Sequence, residues 1–456
     1  MTRRLPLALL GLLLAACGAD APASGTPTAS PSSTAVVTAT PSAEPSPAGI
    51  GEVIPAPGSG SALYPPNPGA IVVAIEAGHG GCLDWGVPDP QERGPDFSEK
   101  AITMAIARSL AGMLAADGVR PLLIRDGDEA LAGDEYPALG CEGAPFRDVN
   151  GDGMAGFGPD VPEATRTRDE LQARLDRANV AGADVLVSIH VDSITDAAGN
   201  LLPVARTETF YTDETPWGPA VTEPLAAAVQ ESLVAAMDGV AGYDRQDRGI
   251  NAHNLYVVAP PLERPTPERP DPLRQPTRGA LMPAILVEVG TITLPEEHEL
   301  LLTEAGVSAA SRGIFEGLAA WLADRPLAGR ISVEGREVGR LPAPVAGGGP
   351  PFVAEPLPDA PLRLRVTNTG TREWGADVLL VGGWITSAEP YVYGRPAGVE
   401  PRGTALPPLA AGESVVVELD PGPPSGPDEL AWFSLRIGAE NLADHGSPAL
   451  QLRGAP

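Results

Sequence analysis

Four residues have the types and spacing to do chemistry together. His79 sits in the glycine turn of "EAGHGG", just past the apolar run Ile71 to Ile75. His190 ends a second apolar run, Asp184 to Ile189 ("DVLVSI"), and Glu288 lies inside a third, Ala284 to Val289 ("AILVEV"), which runs into Gly290. Two imidazoles and a carboxylate, with a fourth position left for water, form a catalytic zinc set. A further acid, here Glu99, would handle the proton. Each residue also has a plainer reading. His79 suits a satisfied turn histidine and His190 a strand-end residue. Glu99 suits a helix-start acid favoured by the dipole behind a capping Ser98. Glu288 is harder to dismiss, because an unpaired carboxylate in an apolar run is costly to bury.

The elements that position these residues can be read from periodicity. The β-branched run Ile71 to Ile75 predicts a strand buried on both faces. Glu99 to Ala116 predicts a helix, with Ile102, Ile106, Leu110, Met113 and Leu114 on one face and Gly118 as its stop. Strands are expected at 120–124, 184–189, 255–258 and 284–289, and helices at 167–182, 220–237 and 305–322. This alternation predicts an α/β domain with a mostly parallel sheet flanked by helices, over about residues 68–325. Ligands of such sheets collect outside the carboxyl ends of the strands, where His79, His190 and Glu288 would meet.

From about residue 326 the helical signal disappears. "LRLRVTNTGTREW", "DVLLVGGW", "ESVVVELD" and "AWFSLRI" alternate or run apolar between Gly/Pro turns. This predicts a linker and a smaller all-β, immunoglobulin-like sandwich over 326–456, with Trp374, Trp384 and Trp432 filling its core.

The N-terminus reads as an export signal. Arg3 and Arg4 precede the apolar Leu5 to Leu14, a run too short to span a membrane, and Leu14-Ala15-Ala16-Cys17 resembles a lipoprotein lipobox. Residues 1–17 are expected to be the signal peptide, with Cys17 lipidated, and residues 18–66, rich in Pro, Ser, Thr and Ala, a disordered tether. The net charge of −28 argues against a nucleic-acid partner. Export makes a disulfide between Cys82 and Cys141 an expectation beside two unrelated thiols.

The stretches "EAGHGG", "SEKAITMAIARSLAGMLAADGVRPLLIR", "TRDELQARLDRANVAGADVLVSIHVDS", "NLYVV" and "MPAILVEVG" occur in an order that resembles the zinc-dependent N-acetylmuramoyl-L-alanine amidases of amidase type 3. They cover about residues 70–323. The resemblance implies zinc ligands at His79, Glu99 and His190, and a catalytic glutamate at Glu288. It also implies a cell-wall hydrolase that cleaves the amide between N-acetylmuramic acid and L-alanine. Three departures stand out. Glu76 replaces the usual Asp, Cys82 and Leu83 both precede Asp84, and Thr291 and Leu294 follow Glu288 in place of Phe and Asn.

The long loop from Asp126 to Thr165 contains "DVNGDGMAGFGPD", with Asp148, Asn150 and Asp152 at alternate positions before Gly153. This matches the first half of an EF-hand-type calcium loop. Pro159 stands at the twelfth position, so a polar loop without Ca2+ is the competing reading. His253 is expected to line the groove or be satisfied locally, and His298 and His445 to lie on the surface. The reading is therefore a zinc amidase, exported and held in the cell envelope as a membrane-anchored lipoprotein. Peptidoglycan would be its substrate, and it would work as a monomer. The alternatives are a non-catalytic peptidoglycan-binding protein and a zinc peptidase acting on the stem peptide.

Overall fold

The computed structural model describes residues 46–54, 70–81, 84–132, 148–149, 163–260, 278–339, 361–386, 403–420 and 429–453. Strand β1 (Ser46–Ile54) comes first. The α/β region comprises β2 (Val72–Ala77), α1 (Glu99–Ala116), β3 (Arg120–Leu123), α2 (Glu163–Val180), β4 (Val185–Asp192), β5 (Ala205–Tyr211), α3 (Glu223–Asp238), β6 (Arg245–Ala252), β7 (Ala284–Thr291), α4 (Pro295–Leu301) and α5 (Glu304–Ala323). The all-β region comprises β8 (Gly329–Val333), β9 (Leu362–Asn368), β10 (Val378–Thr386), β11 (Gly403–Ala405), β12 (Ser414–Asp420), β13 (Glu429–Ile437), β14 (Glu440–Asn441) and β15 (Leu450–Arg453).

The α/β region is built on a six-stranded sheet of order β3-β2-β4-β7-β5-β6. Its neighbours run parallel except β5 and β7, which are antiparallel, so the mostly parallel expectation holds. Strand alternation divides the sheet's side chains between two faces. Val73, Ile75, Val187, Ile189, Ile285 and Val287 pack against α1, α3 and α5. Val72, Ala74, Leu186 and Leu286 pack on the other face with Leu175 and Ala178 of α2. The same alternation carries Glu76, Ser188, His190 and Glu288 onto the α2 face, beyond its apolar part.

Helix α1 spans the expected residues, and Asp117 and Gly118 end it, with Gly118 at φ 86°. Ser98 stands at its N-cap, but the hydroxyl donates to Pro95 O at 2.6 Å and does not cap the helix. Residues 255–258 are not a strand. Tyr256, Val257 and Val258 form a turn whose side chains are buried in the α2-side cluster, so the apolar run reports burial without strand pairing. Strands β5 and β6 and helix α4 went unpredicted. β6 is a largely exposed edge strand with little apolar content, which gives periodicity nothing to detect.

The all-β region holds two antiparallel sheets, β1-β12-β9-β8 and β11-β10-β13-β14, with β15 also paired to β13. Leu364, Val366, Val415 and Val417 of the first pack against Leu380, Phe433 and Leu435 of the second, around Trp374 and Trp384. Trp432 is also buried, but in a satellite cluster with Val381 and Leu430. Residues Ser46–Ile54 fall in the segment expected to be a tether. They pair antiparallel with β12, whose outer edge would otherwise leave backbone groups unpaired.

The two regions are joined at the amino-terminal edge of the catalytic-side sheet. The Arg330 guanidinium donates to Asp184 Oδ2 at 2.6 Å and to Ala70 O at 2.7 Å. Val72 N–H donates to the same Asp184 oxygen at 2.8 Å. Among the described residues, no helix is long and apolar enough to cross a membrane.

Candidate active site and metal centre

The turn after β2 is held by cations from three elements. The Arg125 guanidinium donates to Ala77 O at 2.9 Å and Gly78 O at 3.0 Å, and Arg174 of α2 donates to His79 O at 2.7 Å. Lys100 Nζ of α1 reaches Gly81 O at 2.7 Å. Anchored this way, the backbone takes a positive φ of 61° at His79, in a region that costs a non-glycine residue free energy. The glycines provide the room. A Cβ at Gly78 would lie 2.5 Å from the His190 ring, and one at Gly86 would lie 2.3 Å from Glu99 Oε2.

The structure brings His79, Glu99 and His190 together, with one donor atom from each within 4.8 Å of the others. Glu99 Oε2 lies 3.1 Å from His79 Nε2, and Glu99 Oε1 lies 3.0 Å from His190 Nδ1. The Glu99 carboxylate also accepts from Val87 N–H at 2.8 Å and Val191 N–H at 3.0 Å, which fixes its plane. His79 Nδ1 meets Asp84 Oδ1 at 2.7 Å. Because a carboxylate only accepts, this contact places a ring proton on Nδ1. Nε2 in turn faces the Glu99 carboxylate at 3.1 Å, which calls for a positive charge between them, a second ring proton or a metal ion. Two imidazoles and a carboxylate converging in this way suit a zinc ion.

The electrostatics show the same demand for positive charge among these carboxylates. Burial works against the charged His79 imidazole, but the Asp84 and Glu99 carboxylates override it and push its pKa well up. Burial likewise works to raise Glu99, and the two imidazoles hold it well below the usual carboxylate range. Asp84 is brought down to about 2, because its pairing with His79 outweighs its burial.

Glu288 sits beside this cluster. It is the register partner of His190 across β4 and β7, and of Glu208 across β7 and β5. Its Oε2 is buried without a hydrogen-bond partner. Burial, with Asp192 and Glu99 nearby, pushes its carboxyl well above the usual range, against the opposing pull of His79 and Arg206.

Two supporting residues take roles that the sequence alone does not declare. Glu76 pairs with buried Arg174, accepts from Ser188 and lies 3.9 Å from His190 Nε2. Its longer side chain, where Asp is usual, still reaches the second imidazole. Asp192 pairs with Arg206 next to Glu288. The spacing "HVD" puts Asp192 on the His190 face, which was the one available signal.

Other sequence expectations fare differently. His253 is half-buried, with its ring 6.2 Å from Phe210. His298 is not a surface residue. It is buried on α4, with Nε2 2.8 Å from Phe97 O and Nδ1 3.6 Å from Asp89, because α4 packs it against the loop that carries Asp84. His445 is partly exposed and faces Glu440 at 3.4 Å. Cys17, Cys82, Cys141, Asn150 and Asp152 lie outside the described residues, so the lipidation, disulfide and calcium expectations do not meet the structure; Asp148 is described and half-buried.

A mixed α/β sheet that gathers two imidazoles and a carboxylate at its strand ends, with a second carboxylate from the start of α1, describes a hydrolase with a candidate metal centre. The N-acetylmuramoyl-L-alanine amidase family model matches residues 73–320, and the chain belongs to this family. Its activity is that of a peptidoglycan amidase. Solved structures include an N-acetylmuramoyl-L-alanine amidase from Clostridium difficile 630, at 25% identity and TM-score 0.37, covering 56% of this chain and 97% of its own. The catalytic domain of CwlV, the amidase from Bacillus (Paenibacillus) polymyxa var. colistinus, is 22% identical with TM-score 0.35, covering 55% and 98%. The amidase AmiC2 of Nostoc punctiforme is 22% identical with TM-score 0.35, covering 56% and 97%. No curated protein matches the chain.

Proposed function

We propose that the chain is a zinc-dependent N-acetylmuramoyl-L-alanine amidase with His79, Glu99 and His190 as ligands and Glu288 as general base. The observation that carries this reading is the convergence of His79 Nε2, Glu99 and His190 Nδ1 next to a carboxylate with a buried, unpartnered oxygen. When bound, zinc supplies Lewis acidity toward a carbonyl oxygen and toward water. Asp84 holds the His79 ring so that Nε2 faces Glu99, where it would be one of the donors to the ion. Glu76, itself fixed by Arg174 and Ser188, backs His190 from the other side. Glu288 takes the proton of the attacking water and returns it to the departing amine of L-alanine. The water oxygen bonds to the lactyl carbonyl carbon as the C–N bond breaks, leaving a muramyl carboxylate and a free stem-peptide amine.

In the same reading the protein is exported, acylated at Cys17 and held at the membrane by the segment that precedes β1, with Cys82 and Cys141 joined. The immunoglobulin-like description of the β region belongs to this reading too. Calcium at Asp148 forms no part of it.

Digestion of purified peptidoglycan with and without chelator, followed by mass analysis, tests the core claim. The expected products are glycan strands bearing free lactyl carboxylates and peptides beginning with L-alanine, both lost on chelation. Cleavage within the stem peptide would replace the amidase with a peptidase. Binding without any product would leave a wall-binding protein.

A further inference from the structure

The loop from Asp84 to Ser98 supplies much of what surrounds Glu99. Asp84 meets His79 Nδ1 at its start. Val87 N–H donates to Glu99 Oε2 at 2.8 Å, and Val87 O accepts the Glu99 N–H at 3.0 Å. Trp85 O accepts the Lys100 N–H at 3.2 Å. The first turn of α1 is therefore laced to this loop, and the place of the Glu99 carboxylate depends on where the loop lies.

Helix α4 holds the far side of the loop. His298 is buried, and its Nε2 lies 2.8 Å from Phe97 O, just ahead of Glu99 in the chain. A carbonyl only accepts, so this nitrogen carries a proton. His298 Nδ1 lies 3.5 Å from Arg93 Nη2 and 3.6 Å from Asp89 Oδ1. Arg93 grips both elements. It forks onto Asp89, with Nε to Oδ2 at 2.8 Å and Nη2 to Oδ1 at 3.1 Å, and its Nη1 donates to Glu299 of α4 at 2.7 Å. Its guanidinium also lies over the Phe97 ring, 4.4 Å from the centroid. The preceding residue of the helix is tied to the sheet. The Glu297 carboxylate accepts the Thr291 N–H at 2.8 Å and the Thr291 hydroxyl at 2.9 Å, at the end of the strand that carries Glu288. Consecutive residues of α4 thus hold the end of β7 and the approach to Glu99.

We infer that His298 is a positioning residue, which clamps the 84–98 loop to α4 and so fixes the Glu99 carboxylate relative to Glu288. The inference rests on the ligand set proposed above and adds what keeps that set in register. His298 acts through Phe97 and Asp89, not on the reacting atoms. Groups that orient a ligand in this way govern metal affinity as well as the ligand's geometry.

The test uses the full chain and the variants His298→Leu, His298→Gln and Arg93→Met. Leucine removes both ring nitrogens, whereas glutamine keeps an N–H donor for Phe97 O. In the metal-free chain, amide hydrogen exchange over residues 84–99 should quicken by about tenfold in His298→Leu, the effect of losing a buried hydrogen bond, while β2 and β4 exchange as in the wild type. Zinc affinity, from competition with a chromophoric chelator, should weaken by about tenfold or more. His298→Gln should recover most of both. Arg93→Met opens the same clamp from the exposed side and should quicken exchange over the same residues, which keeps the test decisive should His298→Leu fail to fold. Unchanged exchange and affinity in His298→Leu and Arg93→Met would overturn the inference. So would faster exchange spread evenly over the chain with affinity per folded molecule unchanged, the mark of a merely structural histidine. A wild type that binds no zinc would overturn the ligand set instead, and the metal-free exchange would still decide the clamp.

Discussion

His190 and Glu288 are register partners on adjacent parallel strands, so a candidate metal ligand and a candidate base share one face and one level of the sheet. Neither depends on a flexible loop for its position. The distance between them is set by the sheet.

That relationship predicts the outcome of Glu288→Gln. The amide keeps the shape of the side chain and loses its capacity to accept a proton. Zinc content, measured by metal analysis, should stay stoichiometric, and turnover of muropeptide should fall by about 10²-fold or more. Near-normal turnover with zinc bound would move the base elsewhere. Loss of zinc along with activity would make Glu288 a ligand and leave Glu99 as the base.

His190→Ala removes one of three converging donors and should lose most of the bound zinc. Chelation of the wild-type chain should have the same effect on activity and should also lower the melting temperature, because a bound ion stabilises the folded state by mass action. Full zinc occupancy in His190→Ala would remove this residue from the ligand set.

The parts of this site that were legible in the sequence are those carried by strong local patterns. The apolar runs before His79 and His190 and around Glu288 are strands buried on both faces, and such runs stand out. The start of α1 at Glu99 was equally clear. Strands β5 and β6 were not, since "ARTETFY" and "RQDRGINA" mix charged and polar residues and leave no apolar run or clean alternation to detect. The partnerships were also out of reach. Arg174 contacts Glu76 and His79 across nearly a hundred residues, and no periodicity encodes that pairing. His298 was misplaced because the loop that buries it is distant in sequence.

Gly86 tests how closely the ligands are packed. Its φ is 65°, and a Cβ there would lie 2.3 Å from Glu99 Oε2 and 2.6 Å from His79 Cδ2. Gly86→Ala should therefore displace both side chains and weaken zinc binding by about 10–100-fold, the range seen when groups supporting a metal site are altered. Competition with a chromophoric chelator measures this. Unchanged affinity would mean that the turn relaxes without moving the ligands.

The junction between the two regions gives the last prediction. Asp184 and Arg330 form a buried pair at 2.6 Å, and the same Asp184 oxygen accepts Val72 N–H at the start of β2. Removing one charge strands the other in an apolar setting, so Arg330→Met and Asp184→Asn should each cost roughly 3–5 kcal/mol. Asparagine keeps an acceptor for Val72 N–H, which confines its effect to the lost charge. In the double variant neither member of the pair is left facing a lost partner, although buried Arg325 loses the Asp184 carboxylate that acts on it, and the loss should be below the sum of the two singles, with a coupling of about 1–3 kcal/mol. Urea unfolding monitored by tryptophan fluorescence provides the cycle. Additive losses would show that the pair does not couple the regions. Zinc content and muropeptide turnover of the double variant should stay close to wild type, because the junction lies at the opposite end of β2 and β4 from His79 and His190.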